Sequence, residues 1–127
     1  VAEGRPDRVP RGRAAQARGM ATEAAACAAL TAEGWTVLAR RLRTPAGEID
    51  IIAERDALVA FIEVKARPTL SAAAYALSER QRARLLAAGE AALATHPEWG
   101  HAGVRFDVLI VDAAGTVRRI ADAFRET

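Results

Sequence analysis

The spacing of apolar positions changes several times along the chain, and each change predicts an element. From Ala14 to about Glu33 an alanine-rich stretch carries helical spacing and closes at Gly34, a residue suited to a helix stop. Met20, Cys27 and Leu30 fall close to one stripe of that helix. Trp35 to Arg40 reads as a short strand, followed by a basic loop and a turn at Pro45-Ala46-Gly47. Two runs rich in Ile, Val and Phe, Glu48 to Ala53 and Leu58 to Ala66, flank the polar Glu54-Arg55-Asp56 and predict a hairpin, with Pro68 ending its second strand. Ser78 opens a second helix reaching about Thr95, with Leu85, Leu86 and Leu93 as its larger apolar contacts. Val104 to Val111 is a further strand, and a turn at Asp112 to Gly115 leads into a short last one near Thr116 to Ala121. The order αβββαββ predicts an α/β fold in which helices flank a mixed central sheet, since that arrangement buries every apolar face. Residues 1–13, with Gly, Pro and Arg but no apolar period, are expected to form a flexible basic arm ahead of a single domain over 14–127.

Composition narrows the function classes. A chain of 127 residues suits one compact domain. No apolar run approaches the roughly 20 residues that span a bilayer, and the first residues lack the apolar stretch of a signal peptide. The single cysteine, Cys27, excludes an internal disulfide and any multi-cysteine zinc site, so a reducing cytoplasm is the expected location. Cys27 itself reads as a small core residue. His96 and His101 flank a loop that offers no third zinc ligand. The net charge of +2 is too small to identify a nucleic-acid protein, but its distribution is uneven. Arginines cluster at Arg5, Arg8, Arg11, Arg13 and Arg18, at Arg40, Arg41 and Arg43, and at Arg80, Arg82 and Arg84. Such clusters suit a polyanion, because guanidinium groups bind phosphate in bidentate fashion; they equally suit a solvated surface. Lys65 is the only lysine, and it stands in an apolar run.

That lysine has acidic company. If the hairpin turns between Asp56 and Ala57 through two or four residues, Asp50 lies directly opposite Glu63, and facing residues share one side of a sheet. Two-residue alternation adds Lys65 to the same side and sends Ile49, Ile51, Ile62 and Val64 to the other. Two nearby carboxylates repel, and a hard divalent cation bound by both relieves the repulsion. Such a cation polarises a phosphoryl oxygen, and an adjacent lysine can steer the attacking water or neutralise developing charge. The same residues also read as exposed cross-strand pairs, each worth about 0.2–1 kcal/mol. Against that, the apolar run Val59 to Val64 around them predicts an interior strand, where charge is costly unless paired or ligated.

The spacing of Asp50 and Glu63-Val64-Lys65 is similar to the PD-(D/E)xK nuclease signature. With Gly19…Glu23, Gly34-Trp35, Arg43-Thr44-Pro45, Gly47-Glu48-Ile49-Asp50, Phe61-Ile62-Glu63-Val64-Lys65 and Gln81 through Leu85, the chain resembles the YraN family from about Gly19 to Val111. That family is similar in pattern to archaeal Holliday-junction resolvases. The resemblance implies a restriction-endonuclease-like three-layer fold and a Mg²⁺-dependent endonuclease, with Mn²⁺ as substitute, acting on DNA that includes branched forms. It implies Asp50 and Glu63 as metal ligands, the Val64 carbonyl completing the inner shell, and Lys65 orienting or activating the attacking water. Glu23 would bind metal directly or through water; its neighbours Met20, Cys27 and Leu30 agree with a packed position, and an exposed helix acid is the plainer alternative. Gln81 matches a second-helix motif, yet Ser78 and Gln81 also have the spacing of a capping box, and both readings stand. Arg41, Arg43, Arg67, Arg80 and Arg82 are assigned to the nucleic-acid backbone. The family more often has lysine at Arg80 and often asparagine at Arg41, which keeps or adds positive charge here. Glu48, set on the face opposite Asp50, suits a pairing with Arg43 better than ligation. Asp107 is expected to salt-bridge Arg105 or another arginine, and Trp35 and Trp99 to anchor the core. A homodimer follows from the resemblance, since junction cutting needs two symmetric incisions. The alternative function is a DNA-binding or scaffold module that keeps the fold without cleaving.

Overall fold

The structure is a computed structural model that describes residues 19–71 and 77–121; the basic arm and residues 14–18 of the expected helix lie outside the described residues. Helix α1 covers 19–32. It closes as anticipated at Gly34, whose φ of +89° lets its N–H reach the Thr31 carbonyl while the Trp35 N–H reaches that of Leu30, each at 3.0 Å. Trp35 therefore completes a helix cap, and the strand begins after it; its ring is buried in the same core as Leu30. The buried stripe of α1 is Glu23, Ala26 and Leu30, whereas Met20 is 54% exposed and off the stripe.

Strand β1 (Thr36–Thr44) absorbs the stretch that reads as a basic loop, so Arg41 and Arg43 stand on a strand. The reason is tertiary: β2 (Gly47–Arg55) offers an antiparallel ladder, from Thr36 opposite Glu54 to Thr44 opposite Gly47 with a register shift between Val37 and Ala39, and pairing overrides the polar sequence. β2 and β3 (Leu58–Ala66) form the expected hairpin. Its two-residue turn has φ of 53° at Asp56 and 65° at Ala57, the left-handed pair that matches the twist of the flanking strands. Helix α2 (Glu79–Thr95) crosses to β4 (Gly103–Val111), parallel to β3, and β5 (Val117–Ile120) returns antiparallel. The sheet order is β1-β2-β3-β4-β5.

The two helices cover opposite faces of this mixed sheet. Ala26, Leu30 and Trp35 pack on Ile51, Ala53, Ala60, Ile62 and Leu109. Leu85, Ala88 and Ala92 of α2 pack on Ile49, Ile52, Val59 and Phe61. The result is the three-layer, nuclease-like α/β fold that the order of elements predicts. Among the described residues no helix is long and apolar enough to cross a membrane. Leu86, expected as a contact of α2, is 43% exposed; the helix instead lays Leu85, Ala88, Gly89 and Ala92 on the sheet. Gly89 explains how closely it approaches, since a Cβ there would stand 2.9 Å from Phe106 Cε1 and 3.3 Å from Phe61 Cδ2.

This contact generates a prediction about stability. Replacing Gly89 by alanine gains about 1 kcal/mol of helix propensity. Overpacking against two rings costs about 1–3 kcal/mol. Gly89→Ala is expected to lower the melting temperature by several degrees in circular dichroism, and an increase would show that Phe106 yields without cost.

Candidate active site

The site forms where β2 and β3 part. Their register runs from Arg55 opposite Leu58 to Ile51 opposite Ile62 and goes no further. Below that point the first residues of β2 stay with β1, and the last residues of β3 stay with β4. Asp50 and Glu63 are therefore not a ladder pair, contrary to the hairpin argument. Instead the Asp50 carboxylate accepts the Val64 N–H at 2.8 Å, replacing the backbone partner that the parting removes.

Strand alternation also breaks here. Ile51, Ile62 and Val64 pack towards α1, but Ile49 packs towards α2, so these four do not share a face. Next to Asp50 on β1, Arg41 takes a left-handed φ of 52°. Glu63 and Lys65 alternate with Val64 and fall on the α2 side, while Asp50 lines a cleft of about 900 Å³ on the α1 side with Glu23, Arg41, Glu48, Val64 and Arg67. The expected single patch is thus divided, with Asp50 at the division.

Each acid is held differently. Glu23, 8% exposed, accepts one bond at 2.9 Å on each carboxylate oxygen, from Nε of Arg40 and Nε of Arg41. Glu63 is met at 3.4 Å by Arg84 Nη2 from α2. In the sequence Arg84 reads only as part of the Arg80, Arg82 and Arg84 cluster, and the structure gives it a carboxylate partner instead. Gly47 makes room for it: a Cβ there would sit 3.1 Å from Cγ and Cδ of Arg84. Lys65 is 8% exposed and forms no ion pair among the described residues.

The electrostatics follow from this packing. Burial pushes the Asp50 carboxyl above its usual range; the Val64 N–H opposes that shift, and the charges of Glu23 and Glu48 add to it. Glu63 is also pushed up, first by burial and then by the Asp50 charge, with Arg84 and Lys65 opposing. Asp50 is consequently the middle member of a chain of acids rather than one corner of a cluster.

Gln81 forms both bonds of the capping box, receiving the Ser78 N–H at 2.9 Å while its own N–H reaches Ser78 Oγ at 3.1 Å, so the cap is observed. Arg80 is exposed and Arg82 half-buried in the first turns of α2. Arg67 lines the cleft and bonds the Ala66 carbonyl at 2.8 Å. Arg43 meets Glu48 at 3.7 Å as expected, but Glu48 lines the same cleft as Asp50 and not the opposite face. Asp107 is fully buried and held by Arg105 and Arg119. Trp35 is a core anchor under the guanidinium groups of Arg55, Arg105 and Arg119, and Trp99 stacks on His96. Cys27 is half-buried, and burial pushes its thiol up.

The donor types here, carboxylates and a backbone carbonyl, are those a hard divalent cation takes. Asp50 and Glu63 are oxygen donors whose charges oppose each other, and Val64, next to Glu63 in sequence, adds a carbonyl. Among the described residues no three acidic, histidine or cysteine side chains converge on one point. An ion that keeps much of its water, as Mg²⁺ does, matches a site with few protein ligands.

Fold and site together define a nuclease-like α/β protein with an acid and lysine pair at a strand divergence. Residues 22–111 match a family described as "Uncharacterised protein family UPF0102", and the chain belongs to that family, the YraN family. A UPF0102 protein of Granulibacter bethesdensis is 61% identical over 118 residues, covering 93% of this chain and 75% of that relative. One from Rhodopseudomonas palustris is 46% identical, covering 86% and 84% of the two chains. One from Azorhizobium caulinodans is 47% identical, covering 90% and 87%.

The raised carboxyls make a testable statement about pH. Their folded values lie above the unfolded ones, so the folded protein binds more protons between the two, and stability falls as pH rises through that window. Asp50→Asn keeps an acceptor for the Val64 N–H and removes one repelling charge. Its melting temperature in EDTA at pH 7 is expected to rise by about 3–6 °C, with a flatter pH profile. Calorimetric titration should show loss of Mn²⁺ binding in the same variant, and unchanged binding would contradict the ligand assignment.

Proposed function

We propose that this protein is a metal-dependent endonuclease that hydrolyses DNA phosphodiester bonds, branched DNA included, in the cytoplasm. The observation that carries the reading is Lys65, a lysine only 8% exposed and without an ion pair among the described residues, next to Glu63, whose carboxyl is raised first by burial and then by the Asp50 charge. Burying that charge is costly, and its position is hard to explain by folding alone. In this reading Asp50, Glu63 and the Val64 carbonyl hold Mg²⁺ or Mn²⁺. When bound, the cation supplies polarisation of a phosphoryl oxygen. Lys65 orients the attacking water and offsets charge that develops on phosphorus. Arg84 holds Glu63 in position through its guanidinium. The arginines at the rim, Arg41, Arg43 and Arg67, take backbone phosphates, and Arg80 and Arg82 extend that surface along α2. Two copies acting together would make the paired incisions that a four-way junction requires.

A second reading is favoured by one specific observation. Glu23 is held by two arginines and joins no three-acid group among the described residues, as would suit a scaffold that binds DNA without cutting it. A single assay separates the two. Linear, nicked, flapped and four-way-junction DNAs are incubated with protein and Mg²⁺, Mn²⁺ or EDTA, alongside a Glu63→Ala, Lys65→Ala double variant. Cleavage with either cation is expected, with a loss of about a hundredfold or more in the variant. Cleavage that survives the double substitution sinks the site assignment, and binding without cleavage in every condition supports the scaffold.

A further inference from the structure

Arg40 and Arg41 are consecutive strand residues, and alternation should send them to opposite faces. They reach the same carboxylate. Arg41 achieves this through its left-handed φ of 52°, a conformation that a residue with a Cβ adopts only where its surroundings impose it. The two side chains form a fork whose Nε–H groups grip the two oxygens of Glu23 at 2.9 Å each. The carboxylate is deep in this arrangement, with 10% of the Glu23 side chain exposed, whereas the arginine side chains are 48% and 46% exposed. Their remaining N–H donors therefore face solvent, and Arg41 borders the cleft that Asp50 and Val64 line.

Two guanidiniums that grip two oxygens of one anion present the same donor pattern that the two non-bridging oxygens of a phosphodiester require. A carboxylate that fills such a fork competes with phosphate for it. We propose that Arg40 and Arg41 form a phosphodiester-binding fork, occupied by Glu23 in the free protein and taken over by a nucleic-acid phosphate on binding. This rests on the nucleic-acid reading above. It also gives the clamped Glu23 a purpose: the carboxylate keeps two neighbouring arginines aligned until the polyanion arrives, and is then released beside Asp50. Release strips that existing negative charge of its arginine partners next to Asp50, which already feels it, so phosphate and a cation near Asp50 would assist each other's binding.

The test is DNA binding by the full chain in EDTA, where nothing is cut, read by fluorescence anisotropy of a labelled duplex. Glu23→Gln keeps the size and an acceptor but removes the competing charge, and is expected to tighten binding about five- to tenfold. Arg40→Ala with Arg41→Ala should weaken it about tenfold and lower the salt slope by about 1. Adding Glu23→Gln to that pair should then change nothing further. An Arg40→Lys, Arg41→Lys pair, which keeps both charges and guards against misfolding, should fall between wild type and the alanine pair. An equal gain from Glu23→Gln with and without the arginines would reduce the effect to general charge and overturn the fork, as would no gain in the wild-type background. Absence of DNA binding by both wild type and Glu23→Gln overturns the fork and the nucleic-acid reading together. The predicted pattern without cleavage in Mg²⁺ or Mn²⁺ keeps the fork and overturns hydrolysis alone.

Discussion

Where β2 and β3 part, the Val64 N–H loses its place in the ladder, and the Asp50 carboxylate takes it up at 2.8 Å. A buried amide left without a partner would cost about 1–3 kcal/mol. One side chain thus permits the sheet to open without leaving that amide orphaned. The opening is what gives the molecule a cleft, because β2 continues on β1 and β3 continues on β4. It also fixes the electrostatics: a carboxylate used as a backbone acceptor is drawn in between the strands, where burial raises it and where its charge is felt by Glu63. The backbone role engages one oxygen of Asp50, Oδ2, which leaves room for the ligand role proposed above.

Much of this was legible in the sequence, and the failures share a cause. The two helices, the hairpin with its two-residue turn, the capping box of Ser78 and Gln81 and the stop at Gly34 depend on local chemistry, and each is where local chemistry puts it. The Arg105–Asp107 pair and the Arg43–Glu48 pair were likewise readable from neighbours along or across strands. Residues 41–43 looked like a loop because their charge masks a strand whose formation depends on a distant partner. The hairpin register that would set Asp50 opposite Glu63 holds only as far as Ile51 and Ile62, where the ladder stops. No periodicity signals such a stop, because the residues on both sides remain extended and continue pairing elsewhere. The pairing of Arg84 with Glu63 is hidden in the sequence for a related reason: it depends on how α2 lies on the sheet and on the missing Cβ of Gly47.

The arginines follow a consistent division of labour. Arg105 and Arg119 neutralise the fully buried Asp107 and stack with Arg55 around Trp35, which makes them part of the core's far end. Arg84 is committed to Glu63, and Arg40 and Arg41 to Glu23. Counting net charge hides this, because a guanidinium that balances a buried acid contributes little to the field outside. Arg40 and Arg41, with about half of each side chain in solvent, are the pair for which an exchange of one anion for another is proposed.

That exchange bears on why the acids lie apart. Glu23 and Glu63 approach Asp50 from opposite faces of the sheet, each with its own arginine support. Three ionised carboxylates at one point would repel strongly in a half-buried cleft, so a fold that must be stable before any ion or ligand arrives gains by separating them. Arginine serves this purpose better than lysine, since its planar fork fixes the carboxylate it holds as well as neutralising it. Lys65 is the exception that the same reasoning isolates: it neutralises without holding, lying near Glu63 but bonded to no described acid. Among the described residues arginine or histidine supplies the cation of every ion pair, and the chain's only lysine, 8% exposed beside Glu63, enters none.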